Sequence, residues 1–166
     1  MDSIFENQYI RDRAVIKELY AHWFFKRPLM IVLHSILVFL FALSLVDYLW
    51  TATASAVLIL VPFVFLMQFI GYYNSINVSV KRDEELYNGM LVQAHYTVTE
   101  DTVIARNAGK EPIELSLSKF KHVMVTKNLI VLMTEAKMVY TFRKDSFTKG
   151  SSEKFIGFLK QKGLLR

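Results

Sequence analysis

The chain has 166 residues, 53% of them hydrophobic and 21% charged, with a mean hydropathy of +0.29 and a net charge of +5. Its 14% aromatic content excludes a disordered or fibrous chain, and the lack of cysteine excludes disulfides, thiolate metal sites and cysteine nucleophiles. From Pro28 to Val80 the one charged residue is Asp47, which excludes an ordinary soluble domain over that stretch.

Residues 3–25 read as a helix. Ile16, Leu19, Tyr20 and Trp23 fall at the spacing of one helical face, among charged positions. Residues 1–27 therefore form an N-terminal amphipathic helix, which either lies along a membrane surface or packs on the protein's own cytoplasmic domain. No short basic segment, apolar run and small-residue cleavage site follow one another there, so the segment is expected in the mature protein.

Residues 28–73 read as a pair of transmembrane helices, because a span needs about 20 apolar residues. The first covers about 29–50 and the second about 54–73, with Asp47 and Thr51–Thr53 near the turn. Trp23, Tyr48, Trp50, Tyr72 and Tyr73 sit where amphipathic rings favour the headgroup region. Lys26 and Arg27 precede the pair and Lys81 and Arg82 follow it, so both termini are expected in the cytoplasm. Pro62 should kink the second span.

Residues 74–90 carry no breaker before Asn88-Gly89 and read as a helical stalk. From Leu91 the apolar period changes to two. Short β-branched and aromatic runs follow, at His95–Thr99, Val103–Arg106, Ile113–Ser116, Lys121–Thr126, Leu129–Thr134 and Met138–Phe142. Turns separate them at Glu100-Asp101, Asn107–Lys110, Lys127-Asn128 and Glu135–Lys137. A helix over 151–162, with Phe155, Ile156, Phe158 and Leu159 on its apolar side, ends at Gly163. The expected fold is thus a membrane α-helical hairpin plus an α+β cytoplasmic domain over 91–166. That domain is an antiparallel sheet or barrel capped by the C-terminal helix, as in the pleckstrin-homology-like architecture.

The layout resembles the YcxB-like family of bacterial membrane proteins. The stretch Val139–Phe147 followed by Gly150–Phe155 is similar to the family's strand ending in Pro-Lys-Arg-x-Phe before the last helix. Lys144 and Phe147 fit, while Arg143 stands in place of the proline and Asp145 in place of the second base. Tyr96–Asp101 resembles the family's Thr-x-x-Gly region, with Thr102 at the glycine, and Leu115–Val123 resembles its Trp-x-x-Ile segment without the tryptophan. The resemblance implies a bacterial inner-membrane protein with two spans and a small pleckstrin-homology-like domain. It brings no catalytic motif.

Chemistry-bearing patterns are sparse. His22, His34, His95 and His122 show no metal-ligand spacing, and there is no phosphate loop or nucleophile elbow. No enzyme, cofactor or metal is expected. His34 and Gln68 lie at similar depth in the two antiparallel spans, so they read as an intramembrane polar contact. Lys119, Lys121, Lys127, Arg143, Lys144 and Lys149 are the candidates for binding an anionic inner leaflet or a protein partner. Nucleic acid is not expected, since no stacking aromatics are interleaved with these bases. Two function classes follow. One is a membrane-anchored interaction module. The other is a component of a small transporter or channel, formed by a homo-oligomer with His34 and Gln68 along the path.

Overall fold

A computed structural model describes residues 3–89, 92–107 and 111–165. In chain order they form β1 (Phe5–Arg11), α1 (Arg13–Ala21), a π-helical turn (His22–Lys26), α2 (Pro28–Thr51), α3 (Val57–Leu86), β2 (Val92–Val98), β3 (Thr102–Asn107) and β4 (Ile113–Ser116). A 3-10 turn (Leu117–Lys119) leads into β5 (Phe120–Val125), β6 (Leu129–Thr134), β7 (Val139–Arg143), β8 (Phe147–Lys149) and α4 (Ser152–Gln161). The expected strand start at Leu91 and the turn residues Ala108, Gly109 and Lys110 lie outside the described residues. The chain divides into two units, one of residues up to Val15 together with Asp83 onward, the other Ile16–Arg82.

The helix expected over residues 3–25 is corrected by β1. Phe5, Asn7 and Tyr9 are buried while Ile4, Gln8 and Ile10 are exposed, which is the period of a strand. β1 pairs antiparallel with β2 from Phe5↔Val98 to Arg11↔Val92, and on its other side with β8. Helix begins only beyond Asp12, whose side chain accepts from the Val15 amide as an N-cap residue does.

The α+β unit contains two antiparallel sheets, of order β4-β3-β2-β1-β8 and β5-β6-β7. Neither closes, so the expected barrel is corrected to two sheets. Side chains of β1 bridge them. The Asn7 amide donates to the Arg143 carbonyl at 2.7 Å and accepts from the Arg143 amide at 3.1 Å, mimicking a strand partner for β7. Tyr9 donates its hydroxyl to the Thr141 carbonyl at 2.6 Å. Asn7 is fully buried, and both ends of its amide are satisfied. At the far end of β1, Arg11 Nε lies 3.2 Å from the Asp83 carboxylate.

β6 is buried on both faces from Leu129 to Leu132, as the central strand of its sheet. Helix α4 starts at an N-cap, Ser151, which accepts from the Lys154 amide. It packs through Phe155, whose ring centroid lies 5.2 Å from Phe5, 4.9 Å from Phe142 and 5.6 Å from Phe147. One aromatic ring thereby touches both sheets. Gly150, just before the helix, has φ +81°, and a Cβ there would fall 2.4 Å from the Phe5 ring. A side chain there would strain the backbone and force the Phe5 ring to shift.

In the helical unit, α1 packs on α3 through Ile16, Tyr72 and Ile76, with Tyr20, Phe24 and Phe25 around them. Helices α2 and α3 are both long and apolar enough to cross a membrane, at 24 and 30 residues. No residue in the apolar stretch of α2 is buried, and Leu29, Leu49 and Trp50 are more than 70% exposed. The second helix starts at Val57, later than expected, because residues 52–55 form a loop that opens at Ala52 in the left-handed region. It then runs without interruption to Leu86, so the apolar stretch and the segment expected as a stalk are one helix.

Three outcomes are expected. Asn7→Ala lowers stability by about 2–4 kcal/mol in urea unfolding, because two backbone groups of β7 lose their partner; Gly150→Ala costs about 1–3 kcal/mol through φ and the Phe5 clash. The third concerns pH. Burial pushes the hydroxyls of Tyr9 and Tyr96 above their ordinary range, so the folded state favours the neutral form. An unfolded tyrosine ionises near pH 10, so stability is level below about pH 9 and falls above about pH 10. Tyr9→Phe should flatten that alkaline slope, and an unchanged slope contradicts the assignment.

Candidate functional site

The two sets of residues singled out in the sequence occupy different units. In the helical unit, the backbone around Pro28 creates a need that Gln68 meets. Arg27 precedes a proline and is extended, at φ −68° and ψ 138°, so helical geometry stops there. The Phe24 carbonyl lies in the π-helical turn just before this break, so the chain beyond it does not continue the helical pattern that would supply a donor. Gln68 Nε2 donates to that carbonyl at 2.9 Å. The carbonyl can only accept, which fixes the orientation of the amide and leaves Oε1 facing His34 Nε2 at 2.7 Å. His34 Nε2 therefore carries the proton. Its ring stacks between Phe25 at 6.2 Å and Phe65 at 5.3 Å, which holds its plane.

This arrangement is a staple between three elements: the end of the π-helical turn, α2 and α3. The equal depth of His34 and Gln68 signalled the first contact. The second, to Phe24, was missed. Its signal was also present in the sequence, as a proline that ends the preceding helical turn and leaves its last carbonyls in need of donors. At the other end of the hairpin, Ser55 and Ser44 hydroxyls lie 2.9 Å apart and join the interhelical loop to α2.

In the α+β unit three of the six basic candidates have partners within the chain. Arg143 is paired with Asp145, Nε to Oδ1 at 2.9 Å and Nη2 to Oδ2 at 3.1 Å. The Asp145 carboxyl is held below its ordinary value, first by the Ser146 hydroxyl and then by Arg143. Lys144 Nζ donates to the carbonyls of Thr126 at 2.6 Å and Lys127 at 3.2 Å, closing the β5–β6 turn. Lys149 Nζ donates to the Ser3 hydroxyl at 2.9 Å. These three cations have structural tasks. Lys127 is exposed at that same turn.

Lys119 and Lys121 sit elsewhere, at the opposite end of β5. The strand alone separates the two ends by about 15 Å. A cleft of about 580 Å³ opens there, lined by Leu115, Ser118, Lys119, Lys121, Thr134, Glu135, Ala136 and Met138. Local chemistry places both lysines. The Ser116 side chain caps the 3-10 turn by accepting from the Ser118 amide, and Leu117 is buried, which turns Lys119 outward. At Lys121 the β5–β6 register shifts between Phe120 and His122, a bulge that leaves Lys121 and His122 both exposed. Leu115 was not among the sequence candidates, nor were the β6–β7 turn residues, because only the tertiary fold brings them to the cleft.

Among the described residues no group of three or more histidine or acidic side chains could hold a metal ion. No protein-family model matches this chain, and no curated protein or solved structure shows significant similarity to it.

The staple makes a quantitative expectation. A hydrogen bond between membrane-type helices contributes about 0.6 kcal/mol, up to about 1.7. Gln68→Leu should destabilise the hairpin more than His34→Leu, because it also strands the Phe24 carbonyl. A double-mutant cycle read by unfolding in mixed micelles should return a coupling of about 0.5–1.5 kcal/mol. Zero coupling with equal single effects contradicts the staple.

Proposed function

We propose that this protein is a membrane-anchored binding module. The helices α2 and α3 are the anchor, and the α+β unit binds a ligand or partner on the cytoplasmic side of a bacterial inner membrane. One observation carries the reading. β1 precedes the two apolar helices and β2 follows them, yet the strands pair over seven residues. If both helices cross a bilayer, their flanks lie on one side, which is the arrangement an even number of spans gives. Lys26, Arg27, Lys81 and Arg82 on those flanks make that side cytoplasmic. The outward apolar side chains of α2 support the same reading.

Within this reading, binding centres on the Lys119–Lys121 cleft rather than on a broad basic face, since Arg143, Lys144 and Lys149 are engaged internally. Two antiparallel sheets with α4 against both support the pleckstrin-homology-like description. The order of two spans followed by a strand-rich unit supports kinship with YcxB-like proteins. The transporter reading gains nothing from Gln68, whose amide is committed at both ends within the hairpin.

The cysteine-free sequence makes the test direct. Single cysteines at Ala54→Cys, in the interhelical loop, and at Lys127→Cys are probed with a membrane-impermeant maleimide. Ala54→Cys should label in intact cells, Lys127→Cys only after permeabilisation, and the chain should resist carbonate extraction. Labelling of both from the same side, or release by carbonate, contradicts the anchor.

A further inference from the structure

The cleft beside β5 has the size and the mixed lining of a small-molecule site. Its volume of about 580 Å³ lies within the range of about 300–1,000 Å³ usual for ligand pockets. Its apolar lining comes from Leu115, Ala136 and Met138, and Met138 is 44% exposed although it lies in the cleft. Its polar lining includes Ser118 and the two lysines, Lys119 and Lys121. Neither ammonium has a hydrogen bond or ion pair among the described residues, in contrast to Arg143, Lys144 and Lys149.

The charge balance selects among anions. Two lysines and Glu135 leave the cleft with a net charge of +1. A phosphate dianion would exceed that charge and face the Glu135 carboxylate, whereas a monoanion matches it. Lysine ammoniums are point charges without the arginine fork, so they ask for charge and not for planar bidentate geometry. The edge position of β5 excludes a different occupant. An exposed edge strand invites an added peptide strand, but a bulge with an outward lysine is a device that blocks such pairing.

We propose that this cleft binds a small amphiphilic monocarboxylate. Its carboxylate lies between Lys119 and Lys121, and its apolar body lies on Leu115, Ala136 and Met138. The inference rests on the binding-module reading and gives its binding face a ligand class. The Thr134 Oγ1 accepts from the Met138 amide at 3.1 Å and thereby sets the position of Met138.

The test uses the full chain in nanodiscs of zwitterionic lipid, with the methionine methyl groups labelled with carbon-13 and Met138 assigned through Met138→Leu. Hexanoate is the probe. A saturable shift of the Met138 methyl is expected. Lys119→Gln with Lys121→Gln should weaken it about tenfold or more, and Glu135→Gln should tighten it about two- to fivefold. Hexanol, of the same length without the charge, should give no saturable shift. The proposal is overturned if hexanoate gives no saturable shift in protein with native methyl dispersion, or if the lysine pair makes no difference. It is equally overturned if inorganic phosphate or an acidic (Glu-Leu)3 peptide binds more tightly than hexanoate. Nanodisc incorporation is scored separately, so a chain that embeds but does not bind refutes the cleft alone, and a chain that does not embed refutes the anchor.

Discussion

The pairing of β1 with β2 is the constraint on which the α+β unit depends. A strand from before the two apolar helices fills the slot between β2 and β8, and its side chains reach a second sheet. Without Asn7 and Tyr9, the backbone of β7 would lose partners that no other side chain of the sheet supplies. Phe5, on the same strand, meets Phe155 of α4 and would have to shift for a side chain at Gly150. Removal of the first eleven residues would therefore open a seam through both sheets. The pairing also has a topological consequence: if the two helices cross a bilayer, the chain must return to the side it left before the fold is complete.

How much of this was legible follows from where each element's signal lay. β3 through β7 announced themselves, because short apolar runs were punctuated by turn residues and β6 is apolar at almost every position. β1 was hidden. A buried polar residue, Asn7, interrupts its apolar alternation, and Ile4 and Ile10 face outward. The helical spacing of Ile16 to Trp23 was real but was extended too far toward the N-terminus. β8 is three residues long, too short for any period to show. The stalk was legible as helix because nothing between Asn74 and Tyr87 breaks one.

The candidate site divides along the same line. His34 and Gln68 were readable because depth in a span is a matter of counting. The role of Phe24 needed the further step of asking which carbonyls are left without donors where the helical turn ends before Pro28. The basic residues were readable only as charges. That Lys144 closes a turn and Arg143 pairs with Asp145, while Lys119 and Lys121 face a cleft, depends on which strands are neighbours. Composition cannot separate a cation that holds a fold together from one that waits for a ligand.

In the proposed function β1 stays paired with β2 while the helices between them are embedded in the membrane. Gln8 faces His95 across that ladder, and opposed residues of a strand pair lie about 4.5–5.5 Å apart at Cα, within the reach of a disulfide. With Gln8→Cys and His95→Cys introduced together into the cysteine-free chain, mild oxidation of native membranes should form an intramolecular disulfide, seen as a faster-migrating reducible band in the carbonate-resistant fraction. If no disulfide forms there although both thiols react with a small permeant maleimide, the strand is not in the sheet and the account fails.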